Sequence, residues 1–77
     1  MAKRNKDVEQ QDGFRFTIPE DCGLTVREAY DLLRERQKAK ARGDDVGIVQ
    51  IEDIFKSRGL VLKDISDNYV AVSEAGQ

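Results

Sequence analysis

The sequence predicts a single small α+β domain, with two helices packed on a small antiparallel sheet built from a C-terminal β-hairpin that an N-terminal strand can join. Three observations predict it. Phe14-Arg15-Phe16-Thr17-Ile18 alternates apolar and polar residues at the period of a strand. Two central segments repeat their apolar residues at helical spacing between recognisable caps. Two β-prone runs then flank an Asp-Asn turn near the C-terminus.

Residues 1 to 13 hold Lys3, Arg4 and Lys6 against Asp7, Glu9 and Asp12, with Val8 the one apolar residue beyond Met1 and Ala2. That composition predicts a disordered lead-in, so the folded domain is expected to span residues 14–73. The strand from Phe14 to Ile18 should end at Pro19, the single proline, and Glu20 to Gly23 reads as a turn. Thr25 and Glu28 have capping-box spacing: the Thr hydroxyl can accept from the N3 amide while the Glu reaches back to the Thr amide. A helix should therefore begin at Val26. Its apolar face is Val26, Ala29, Tyr30 and Leu33, with Leu32 at the margin, and Gly43 supplies a left-handed stop after Arg42.

Asp44 or Asp45 can cap a second helix, in which Ile48, Ile51, Ile54 and Phe55 recur at helical spacing. Lys56 and Arg58 suit its C-terminal end, and Gly59 ends it. Leu60 to Ile65 and Tyr69 to Val72 then read as a hairpin around Ser66-Asp67-Asn68. Residues 74–77 are expected to fray.

Composition narrows the function classes. A chain of 77 residues makes one marginal core. Its hydrophobic share of 39% against 36% charged suits a solvated globule rather than a disordered tail. The single cysteine, Cys22, forms no internal disulfide, which fits a reducing compartment. No apolar run reaches the roughly 18 residues of a membrane span, and the beginning of the sequence has no signal-peptide pattern. A cytoplasmic protein is expected, with no membrane association. There is no histidine, so triad and metal-hydrolysis chemistry lose their usual base or ligand. Cys22 stands before a helix but beside Glu20 and Asp21, without a base, and an inert thiol is expected. The neighbours Asp44-Asp45 and Glu52-Asp53 point about 100° apart on a helix and do not converge. Capping and solvation explain them. No catalytic residue, metal site or cofactor is expected, and the chain reads as a non-enzyme.

The strongest local signal is basic. Arg34, Arg36, Lys38, Lys40 and Arg42 fall within nine positions of a chain whose formal charge is -2. With Arg27, they give residues 25 to 42 a net +3 against Glu28, Asp31 and Glu35, while the chain from Gly43 onward sums to -4. The molecule is a charge dipole. Arg27, Arg34, Lys38 and Arg42 lie within about 80° of one another and form a stripe opposite the apolar face. Acids at i,i+3 or i,i+4 can neutralise that stripe, Asp31 serving Arg27 and Arg34, and Glu35 serving Lys38. Arg36 and Lys40 continue the core-facing side past Leu33 and lack an evident helical acid partner within one turn. They are the first place to look for a partner, although their stems can also snorkel over the core edge. Tyr69 and Phe14 could stack on bases from an open sheet face, but core burial is the expectation in so small a domain.

Two families share this order of elements. The stretch "LRERQKAKARGDDVGIVQIEDIFKSRGLVLKD" from Leu33 to Asp64 resembles the C-terminal tRNA-binding domain of cysteinyl-tRNA synthetases. That likeness is carried by Arg36, Ala39, Lys40, Asp44, Ile51, Phe55, Gly59, Leu60, Val61, Leu62 and Asp64. Where that family tends to have an Asp and an Arg on the second helix, this chain has Val49 and Glu52. Asp67-Asn68-Tyr69-Val70 replaces the family's Gly-Thr-x-Trp ending. The resemblance implies an RNA-contacting module without aminoacylation machinery. The chain also resembles winged helix-turn-helix domains, with Phe14 to Ile18 as the first strand, the second helix as reader and the hairpin as wing. Glu52 and Asp53 on that reader would repel phosphate.

The leading expectation is a small binding or regulatory module that holds nucleic acid, tRNA or another structured RNA included, through Arg34, Arg36, Lys38, Lys40 and Arg42. The alternative is a protein-binding adaptor or inhibitor that engages an acidic surface or pairs through its hairpin edge. An exposed strand edge also admits a homodimer.

Overall fold

The computed structural model describes residues 5–20 and 22–75. The elements are β1 (Asn5–Glu9), β2 (Arg15–Pro19), α1 (Val26–Arg42), α2 (Asp45–Lys56), β3 (Leu60–Ser66) and β4 (Tyr69–Glu74). Two helices pack on one face of a four-stranded sheet of order β1-β2-β4-β3. Both hairpins are antiparallel, whereas β2 and β4 run parallel at the centre, so the sheet is mixed. The N-terminal strand thus joins the hairpin at β4 and leaves β1 and β3 as the edges.

The lead-in is a correction to the expected disorder. Asn5–Glu9 pairs along the whole length of β2, with Val8 opposite Phe16 and against the core. A cross-strand pair holds it on the other face, Arg15 Nη2 lying 3.1 Å from Asp7 Oδ2. Asp12-Gly13 makes the turn: Gly13 adopts φ +90°, and the Asp12 carboxylate accepts from the Phe14 amide at 3.0 Å. An Asp-Gly pair is a strong hairpin signal, and here it outweighed a composition poor in apolar residues. Met1 to Arg4 lie outside the described residues. At the other end β4 continues to Glu74, and the Ala75 amide donates to the Gly59 carbonyl at 2.7 Å, so the ordered chain runs past residue 73. Gly76 and Gln77 are likewise outside the described residues.

Helix α1 starts and stops where its local chemistry dictates. Thr25 Oγ1 accepts from the Glu28 amide, and Glu28 Oε1 accepts from the Thr25 amide, each at 3.1 Å. Gly43 closes it at φ +73°. Asp44 caps α2, accepting from the Gly47 amide at 3.0 Å. A Cβ at Gly47 would sit 2.7 Å from the Asp44 carboxylate and 3.3 Å from Ala39 Cβ, where the two helices touch, so a side chain there would displace the Asp44 cap.

The period-two pattern sends Phe16 and Ile18 of β2, Val70 and Val72 of β4 and Leu60 of β3 under the helices. With Phe14, Ala29, Leu33 and Phe55 they form the core. Of the expected α2 face, only Phe55 is fully buried. Ile51 packs against the core from a half-buried position, and Ile54 is 40% exposed. The second helix covers the sheet margin, so a single side chain anchors it deeply.

Candidate functional site

Helix α1 carries all five expected binding residues, and the fold brings acids from four other segments to meet them. Arg36 is 6% exposed. Its Nη1 and Nη2 donate to the two Asp64 oxygens of β3 at 2.8 and 2.9 Å, and its Nε donates to Glu52 Oε2 of α2 at 3.1 Å. Lys40 Nζ reaches Asp64 Oδ2 at 2.8 Å. These contacts correct the expectation that Arg36 and Lys40 lack acid partners. Their partners lie 16 to 28 residues away in sequence, beyond any search within one helical turn. The two cations tie α1 to α2 and to the edge strand.

The stripe is closed as well. Arg27 Nε pairs with Asp31 at 3.3 Å, Lys38 with Glu35 at 3.6 Å and Arg42 with Asp44 at 3.4 Å. Arg34 departs from its expected partner Asp31. It lies 3.5 Å from Asp12 in the β1–β2 turn, donates to Gln37 Oε1, and stands 5.7 Å over the Phe14 ring. Tyr30 Oη donates to the same Asp12 carboxylate at 2.8 Å. The Phe14 amide and then the tyrosine hydroxyl hold the Asp12 pKa below its usual value.

Within the triad of Glu52, Arg36 and Asp64, hydrogen bonding and charge act most on Asp64 and Arg36. Hydrogen bonds from Arg36, reinforced by Lys40, lower the Asp64 pKa to about 2, while Asp64 and then Glu52 raise that of Arg36. The unfolded Asp64 carboxyl ordinarily titrates near 3.8, so folding prefers the ionised form. Its contribution to stability is full above about pH 4 and is lost as pH falls from about 4 to about 2. Urea melts across pH 2–7 should show a plateau near neutrality and a fall inside that acid window. Asp64→Asn should flatten the fall; an unchanged profile would remove the triad as its source.

A cleft of about 600 Å³ lies between the C-terminal half of α1 and the β3–β4 turn. Arg34, Arg36, Lys38 and Lys40 line it over Phe14, Leu33 and Val70. Arg42 is not part of that lining. Phe14 is buried in the core and unavailable to stack on a base. Tyr69 is half-buried on the sheet face away from the helices, with Arg15 Cζ 4.6 Å from its ring centroid.

The remaining candidates are local structure. Cys22 is half-buried, its thiol 3.8 Å from the Leu24 carbonyl. Glu52 turns to Arg36 while Asp53 is exposed, so that acidic pair diverges.

The hairpin edge, expected as a possible pairing surface, carries side chains and a groove that were not identified from the sequence. Edge strand β3 exposes Val61 (41%) and Ile65 (51%), with a bulge between Asp64 and Ser66. A groove of about 190 Å³ runs between it and α2, lined by Glu52, Lys56, Leu60, Val61 and Leu62. Val46 and Val49 are exposed on the same helix. Among the described residues Lys56 and Lys63 have no ion-pair partner, in contrast to every member of the basic run. The available signal was the apolar run Leu60-Val61-Leu62 on a strand with a neighbour on one side only. No protein-family model matches this chain, and neither does any curated protein or solved structure.

Proposed function

We propose that this protein is a non-enzymatic binding module that engages a protein partner through the β3 edge and the adjoining side of α2. One observation carries the reading: every residue of the basic run already has an acidic partner, while the β3–α2 margin keeps exposed aliphatic side chains beside the unpaired Lys56 and Lys63. An edge strand has backbone donors and acceptors left to satisfy, and added strands satisfy them. The test is capture of a partner from nuclease-treated extract on immobilised protein. Val61→Asp should release the partner, whereas Lys38→Glu with Arg42→Glu should retain it. The opposite pattern would overturn the reading.

A second reading has its own support in the cleft, where four basic side chains line one cavity together with two acids, Asp64 and Asp67. Exposed ion pairs such as that of Lys38 with Glu35 are worth little, about 0–1 kcal/mol, and phosphate can compete for such cations, unlike the buried Arg36. A phosphate-bearing ligand, tRNA or another structured RNA included, would then bind along residues 34–42. Titration with tRNA and with duplex DNA should show affinity that falls steeply with salt and amide shifts confined to that segment. Absence of binding at low salt ends this reading.

A further inference from the structure

We infer that the partner segment at the β3 edge is an extended strand, antiparallel to β3, in which an acidic residue is followed directly by two apolar residues. This rests on the edge-binding reading above and specifies its ligand. Side chains alternate along β3. Leu60 and Leu62 face the helices, and Val61 and Lys63 face the open side, because Val61 and Lys63 stand opposite Ser73 and Ala71 of β4. A strand added beside β3 meets these residues in reverse order.

Its first relevant residue lies opposite Lys63 on the open face. Lys63 is exposed and unpaired among the described residues, and an opposite charge across a strand pair stabilises it. The next residue points to the helix side, beside Leu62, into the groove bounded by Glu52 and Lys56. At about 190 Å³ the groove holds one aliphatic side chain, since an apolar cavity of about 150 Å³ accepts benzene. The third residue returns to the open face against Val61. The bulge between Asp64 and Ser66 interrupts regular pairing beyond Asp64 and limits the match to this short stretch.

A second copy of β3 is disfavoured in the register that pairs it furthest along the strand. The antiparallel register that sets Val61 against Ile65 also sets Lys63 against Lys63, and like charges directly opposite are destabilising. The other edge fits no better, because β1 brings the polar Asn5, Asp7 and Glu9 to its open face. Antiparallel pairing is the more stable per residue of the two orientations.

Random peptide display on the immobilised full chain tests the assignment. Wild-type protein should enrich acid-apolar-apolar peptides, and Lys63→Glu should enrich base-apolar-apolar peptides. A synthetic acid-led peptide should lose about tenfold in affinity on Lys63→Glu, and its binding should slow amide exchange across residues 60–66. The same consensus with both proteins, or none with either, overturns the inference. A β3 edge protected in a dimer without peptide also overturns it, by assigning the edge to a second copy. If the consensus fails while Val61→Asp still releases the captured partner, the edge reading stands and only its ligand is wrong. If Val61→Asp releases nothing, the edge reading itself falls.

Discussion

Arg36→Ala is expected to destabilise the protein by about 3 kcal/mol, measured as a lower urea midpoint at constant slope. The guanidinium is nearly inaccessible and neutralises two carboxylates, Asp64 and Glu52, each with 35% of its side chain exposed. Removing one member of a buried pair typically costs about 3–5 kcal/mol. Partial solvation of the acids places this case at the lower end. A domain of 77 residues has roughly 4–12 kcal/mol in total, so the loss is a large share of its stability. Arg36→Lys should fall between, because an ammonium retains the charge but cannot reproduce the forked geometry toward Asp64. A change below about 0.5 kcal/mol for Arg36→Ala would show that the triad does not hold the helices to the edge strand.

Phe55→Ala should cost about as much or more, in the range of about 3–5 kcal/mol for deleting a buried ring. Phe55 is 0% exposed and is the one fully buried side chain of α2 among the described residues. Its loss should free α2 from the sheet, seen as faster amide exchange across residues 45–56. Ile54→Ala is the control. That side chain is 40% exposed and should cost less than about 1 kcal/mol, since little apolar area returns to water. Equal losses at the two positions would mean that α2 sits on the sheet by a different face. Together with the acid window of Asp64, these measurements separate ionic from apolar attachment of the same two helices.

Much of the architecture was legible because its signals act over a few residues. The Thr25–Glu28 box, the left-handed Gly43 and the Asp44 cap set both helices, and alternation in Phe14–Ile18 assigned the buried face of β2. The candidate site was legible only as a list of residues. Arg36 and Lys40 looked unpartnered because their acids sit on α2 and β3, brought near only when the helices cross the sheet margin. Likewise β1 looked disordered, since its stability comes from β2 and the Asp12-Gly13 turn more than from its own side chains.

By itself, then, the sequence determined the α+β class, the order of the main elements, the helix termini and the core-facing pattern of β2. Tertiary structure alone decided the parallel junction of β2 with β4, the edges left at β1 and β3, and which charges remained free. The physical reason is range. Caps and side-chain periods are satisfied within a turn or a strand, whereas neutralisation of Arg36 and exposure of Val61 depend on which distant segment lies alongside.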